Sequence, residues 1–202
     1  MLKSKLKRLN EAYYVKRSLV GDVVVSLGTS WIARFIARIT KGAMGHWSCN
    51  HVAIVGRTEE GESICTVEAL KDGVTVTPFE WHWKHCKRWL VIRHKDRLTG
   101  NMMDMDFLPE IRKFIGYPYA FHQLLQNFRA ILLQVGLGKQ WAYRRLVDTA
   151  DPNGLTCTEF VGLVYESLDV RITPMFPARY LTANDFLESL QFDTVYTSED
   201  TR

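Results

Sequence analysis

The stretch GLTCTEFVG, from Gly154 to Gly162, sets a cysteine between two threonines at the head of an apolar, helix-like run. Thr156 and Glu159 stand at the T-x-x-E spacing of a capping box. The sequence therefore predicts Thr156 as N-cap and Cys157 as the first helical residue. Phe160, Val161, Val164 and Leu168 recur at helical spacing and predict the buried stripe. Cys157 is read off the centre of that stripe, with its sulfur pointing out of the core. Unpaired backbone N–H groups and the helix dipole favour an anion at such a position. A thiolate is such an anion, and it is the nucleophile of cysteine chemistry. The plain alternative is a small residue that only packs.

The rest of the chain bounds this reading. Its 202 residues, 47% hydrophobic, suffice for one well-packed domain. A net charge of +4 permits an anionic partner without demanding one. No apolar run approaches the ~20 residues of a membrane-spanning helix. The N-terminus is basic but lacks an apolar core and a cleavage site, so no secretory signal is expected. The four cysteines show no C-x-x-C pair, which argues against a disulfide framework and for a reducing compartment. The expected location is the cytoplasm, with peripheral membrane contact left open. That contact would come through residues 1–19, where Leu2, Leu6, Leu9 and Tyr13 alternate with Lys3, Lys5, Lys7 and Arg8 as a basic amphipathic helix. An N-terminal helix packed on the domain explains the same pattern.

Strands are predicted over Gly21–Ser26, His51–Gly56, Ser63–Ala69, the GVTVTPF segment ended by Pro78, Arg88–His94 and the segment FDTVY. A helix after Thr29 or Ser30 carries Ile32, Phe35, Ile36 and Ile39. Met103 to Val147 is helical in pattern, broken at GYPY and GLGK. A last helix starts near Thr182 with Asp185 as its capping partner. This order, a mainly antiparallel sheet followed by helices, is an α+β layout.

A thiol nucleophile needs a base, and the base needs a group to orient it. His51 opens one predicted strand and can present its ring at the sheet rim. Glu68 is the acid near the end of the next strand, on the face of Thr66. Antiparallel pairing of the two strands brings His51 beside Glu68. Each has a plainer reading as well: a rim histidine that only hydrogen-bonds, and an edge-strand carboxylate paired with a surface lysine. The histidine-bearing runs His46–His51 and His82–Cys86 lack the paired spacing of a zinc site. No metal or cofactor is expected, and His82 and His85 are read onto a solvent-facing helix. Trp81, Trp83 and Trp89 are read as a helix edge covering the sheet rather than a base-stacking surface, so no nucleic-acid partner is expected. Phe121–Val147 is read as a helical hairpin, a lid or a lipid-facing element.

The ordered segments GDVVVS, NHVAIVG, TVEAL, GVTVTPF, VIR, IGYPYAF, LTCTEFVG and LTANDF resemble the circularly permuted, papain-like cysteine hydrolases of the NlpC superfamily, in particular the YiiX-like branch. The resemblance spans about Gly21 to Phe186. It implies a permuted papain-like fold, with Cys157 as nucleophile, His51 as base and Glu68 as orienting acid. It also implies Tyr119 near the active site, with Tyr117 as the alternative. Asn50 and Thr156, next to His51 and Cys157, complete the expected substrate-binding set. The chain departs from the family pattern at Ala120, where an acid is usual, and at Ala183, where a proline is common. The implied activity is hydrolysis of amide bonds, with cell-wall-type peptides as substrate class. The alternative, suggested by the similar lecithin–retinol acyltransferase, is transfer or hydrolysis of a lipid acyl group at a membrane surface. A non-enzymatic module that keeps only the fold is the third reading.

Overall fold

The computed structural model describes residues 17–29, 49–58, 63–98, 103–120, 154–173 and 177–197. Leu2 to Tyr13 of the expected N-terminal helix, the helix after Ser30, His46 and the stretch Phe121–Val147 lie outside the described residues.

Six strands form one antiparallel sheet: β1 (Val23–Gly28), β2 (His51–Arg57), β3 (Ile64–Leu70), β4 (Gly73–Pro78), β5 (Cys86–His94) and β6 (Phe192–Thr197), in the spatial order β4-β3-β2-β1-β5-β6. Among the described residues the helices are α1 (Glu80–His85), α2 (Lys95–Leu98), α3 (Asp104–Phe114), α4 (Cys157–Glu166) and α5 (Ala183–Glu188), with a 3-10 turn at Ala178–Tyr180. The architecture is thus α+β.

Both sheet faces are covered, which is why the strands read as near-continuous apolar runs. Alternation sends Val23, Val25, Val52, Ile54 and Val67 to one face. There they meet Phe107 and Ile111 of α3 and Phe160, Val161 and Val164 of α4. Val24, Ala53, Val55, Trp89 and Val91 point the other way and pack with Phe79 and Tyr196. The three apolar residues of α4 are wholly buried. Each such side chain contributes about 1.5–3 kcal/mol, which pins the helix against β2 and β3. Leu168 packs on the core from beyond the helix end. Trp89 belongs to β5 and is buried on the sheet, not on a helix edge.

The loop after α3 clamps the helix start to the sheet. Val74 N–H donates to Tyr117 O at 2.8 Å, and Gly116 N–H donates to Val74 O at 2.9 Å. Gly73 sits at φ +108, where an added Cβ would meet Tyr117 O at 2.5 Å; only glycine fits there. Further on, Leu155 N–H donates to Pro118 O and Ala120 N–H to Leu155 O, a parallel bridge between Tyr119 and Leu155. Gly154 allows this approach, since its Cβ would lie 2.9 Å from the Ala120 backbone. Ala120, one of the departures from the family pattern, is fully buried in this clamp.

Candidate active site

The site forms where the start of β2, the end of β3 and the start of α4 converge. Thr156 is the N-cap of α4: its Oγ1 accepts from Glu159 N–H at 3.3 Å. Cys157 is the first helical residue. Its sulfur does not point out of the core. Cys157 is only 8% exposed and belongs to the apolar cluster under the sheet. The reason is spacing: Cys157, Phe160, Val161 and Val164 stand at i, i+3, i+4 and i+7, one face of a helix.

The β2–β3 register pairs Ile54 with Val67. Continued by one pair, it sets Ala53 opposite Glu68, so His51 is the diagonal neighbour of Glu68 on the same face. The His51 Nε2 to Glu68 Oε2 distance is 2.5 Å. With Nε2 engaged, Nδ1 is the ring nitrogen left for Cys157, whose side chain hydrogen-bonds to the ring. Glu68 is wholly buried in an interior strand, not on an edge facing a surface lysine.

Burial alone would push the Glu68 carboxyl up; its hydrogen bond to His51 and the charges of His51 and His82 hold it down to about 2. Burial alone would lower His51, but the charges and hydrogen bonds of Cys157 and Glu68 raise it well above the usual range. Burial would raise Cys157, and the His51 charge and hydrogen bond, with backbone N–H groups of Val52 and Thr158, bring it down. Cys157 and His51 thus shift each other in opposite directions, with the Glu68 carboxylate behind the ring. The other three thiols go the opposite way: burial raises Cys49 and Cys86, and takes Cys65 to about 11.

Of the expected substrate-binding residues, Tyr119 is half-buried against the core and feels the Cys157 charge. Burial first and that charge second raise its pKa, so it remains a phenol able to donate a hydrogen bond. Tyr117 is 48% exposed and packs on Phe114. Asn50 Oδ1 accepts from Gly28 N–H at 3.0 Å, and Asn50 N–H donates to Ser26 O. Its amide oxygen therefore ties β1 to the entry of β2. Thr156 is buried and spends its hydroxyl on the helix cap.

His82 is the residue the sequence reading misplaced. It is wholly buried, while His85 on the same helix is exposed. Phe79, the N-cap of α1, and His82 stand at i and i+3, and Cys86 opens β5 directly after the helix. His82 Nε2 lies 3.1 Å from Thr66 Oγ1 and 3.6 Å from Glu68 Oε1. Two signals could have found it: its spacing from Phe79, and an acid that cannot stay charged in the interior with one partner. Among the described residues, no group of three His, Cys, Asp or Glu side chains is placed to hold a metal ion. Among the same residues, no helix is long and apolar enough to cross a membrane.

No family model and no curated protein matches the chain. Among solved structures, the crystal structure of metalloprotein YiiX from Escherichia coli O157:H7 aligns with 89% of this chain and 97% of its own. The TM-score is 0.62 and the sequence identity 16%. The likeness is one of fold.

Proposed function

We propose that this chain is a thiol hydrolase of amide bonds, with Cys157 as nucleophile, His51 as base and Glu68 as orienting acid on a circularly permuted papain-like fold. The observation that carries the reading is the line of contacts from Cys157 through His51 to Glu68, in which only one of four thiols is lowered. The Cys157 thiolate attacks the carbonyl carbon, and the developing oxyanion takes hydrogen bonds from N–H groups at the helix start. The His51 imidazolium gives its proton to the leaving amine. Glu68 fixes the ring orientation and stabilises the imidazolium throughout. A water deprotonated by His51 then attacks the thioester, releasing the acid and restoring the thiol. Small peptides of the cell-wall type are the proposed substrate class, from the family resemblance.

The test is intact-mass detection of an acyl-enzyme on incubation with peptide amides and, in parallel, with phospholipid vesicles. A peptide-derived adduct on Cys157 that is missing from Cys157→Ser is the expected result. An adduct from phospholipid alone moves the substrate class to lipid acyl groups at the same site. Equal turnover by Cys157→Ser and wild type ends the enzyme reading.

A further inference from the structure

Glu68 has a second histidine on its far side. Its Oε2 faces His51, while its Oε1 faces Thr66 Oγ1 at 3.4 Å and His82 at 3.6 Å. Thr66 and His82 are both wholly buried. A charged carboxylate in such a place needs donors on both oxygens. Cys86 Sγ lies 3.8 Å from His82 Nδ1. With the Cys86 S–H as donor, Nδ1 accepts and Nε2 carries the ring proton. Nε2–H then donates to Thr66 Oγ1 at 3.1 Å. The single Thr66 proton is left for Glu68 Oε1 or, at 3.2 Å, Thr77 O. With the Thr66 proton donated to Glu68 Oε1, the chain of hydrogens runs from Cys86 through His82 and Thr66 to the carboxylate.

We infer that His82, as the neutral Nε2–H tautomer acting through Thr66, is a positioning residue that holds one oxygen of Glu68 so that the other stays ionised and aimed at His51. The inference rests on the triad reading above. The titratable groups that act on His82 are Glu68 from β3, His51 from β2 and His85 from its own helix, with Cys86 of β5 at its Nδ1. Burial first, against the pull of Glu68, lowers His82 to about 4. It is therefore uncharged at neutral pH, where its help to Glu68 comes from the direction of its hydrogen bond; its charge adds to the hold on Glu68 only below about 4.

The experiment is the pH dependence of iodoacetamide alkylation at Cys157, mapped by mass spectrometry. It is run on wild type, Thr66→Val, Thr66→Ser, His82→Phe and His82→Gln, with a melting curve for each. Thr66→Val removes the hydroxyl at almost constant shape, and Glu68 then takes up a proton at higher pH. The alkylation profile should move up by about one pH unit, roughly a tenfold loss of rate on its acidic limb. Thr66→Ser restores the wild-type profile, and His82→Gln, which keeps a donor, recovers part of the loss seen in His82→Phe. If His82→Phe does not fold, the Thr66 pair carries the result. A low-pH wild-type profile that Thr66→Val leaves in place overturns the role of His82 and Thr66 while the triad stands. An ordinary thiol profile already in wild type overturns both.

Discussion

Cys49 and Cys157 are buried in the same apolar cluster, and Cys49 feels the Cys157 charge, yet their thiols move in opposite directions. Burial pushes both up. Cys49 is the residue two before His51; its S–H donates to Asn184 Oδ1 at 3.1 Å, and no cation opposes the burial. Cys157 meets the His51 ring and two backbone N–H groups, which oppose the burial. Desolvation is common to the pair, so the partner decides the sign. A reactive thiol in this fold is a buried one with the right neighbour, not an exposed one.

The largest expected effect makes Cys157 behave like Cys49. His51→Ala removes the cation and leaves the backbone donors. A charge partner at contact moves a pKa by about 1–3 units, so alkylation of Cys157 near pH 7 should fall about 100-fold. In wild type, limiting iodoacetamide should label Cys157 before Cys49, Cys65 or Cys86. First labelling at any of those three would break the comparison.

Glu68→Gln comes next. The amide oxygen can still accept from the ring, but the charge that supports the imidazolium is gone. Losing a charge-assisted hydrogen bond costs about 1.5–3 kcal/mol, so turnover should drop roughly 10–100-fold, less than for His51→Ala. There is also a stability signature. The folded carboxyl is held at about 2 against an ordinary 4.5. Its stabilising contribution is therefore complete above 4.5 and lost as the pH falls toward 2. Urea melts of wild type between those limits should show this slope, and Glu68→Gln should flatten it. An unchanged slope would show that Glu68 is not the paired carboxylate.

Much of this arrangement could be read from the chain, for local reasons. Strand alternation and turn residues are local, so each strand lies within two residues of its expected bounds. The Thr156 cap is local too. The side-chain directions of Cys157 and His82 were not recovered, because they depend on what lies across the sheet. The expectation that Cys157 lies off the centre of the stripe, with its sulfur outward, fails because its spacing to Phe160 and Val161 places it on that face. His82, expected on a solvent-facing helix, is instead wholly buried. The buried Glu68 opposite is a tertiary fact, and it overrides that expectation.

A smaller effect tests the other cysteine. Cys49→Ala should leave the Cys157 alkylation profile in place, since no Cys157 partner is touched. It removes a packed sulfur and the donor to Asn184, a loss of about 1–3 kcal/mol by denaturant titration. Cys49→Ser, which keeps a donor, should recover part of that. A large fall in Cys157 reactivity in Cys49→Ala would mean the two thiols act together.

The smallest effect separates the helix start from the imidazolium as the source of Cys157 acidity. Thr156→Ala deletes the oxygen that accepts from Glu159 N–H but leaves His51, Glu68 and the backbone donors of Val52 and Thr158. Loss of an N-cap typically costs about 1 kcal/mol, and melting should register it. Reactivity should change by no more than about fivefold, because a helix-terminal charge effect is worth only about 0.3–1 kcal/mol. The larger interaction, that of thiolate with imidazolium, is untouched. If Thr156→Ala cost Cys157 as much reactivity as His51→Ala, the capped helix start would be the main source of the thiolate. The contrast with Cys49 would then rest on backbone geometry, not on His51.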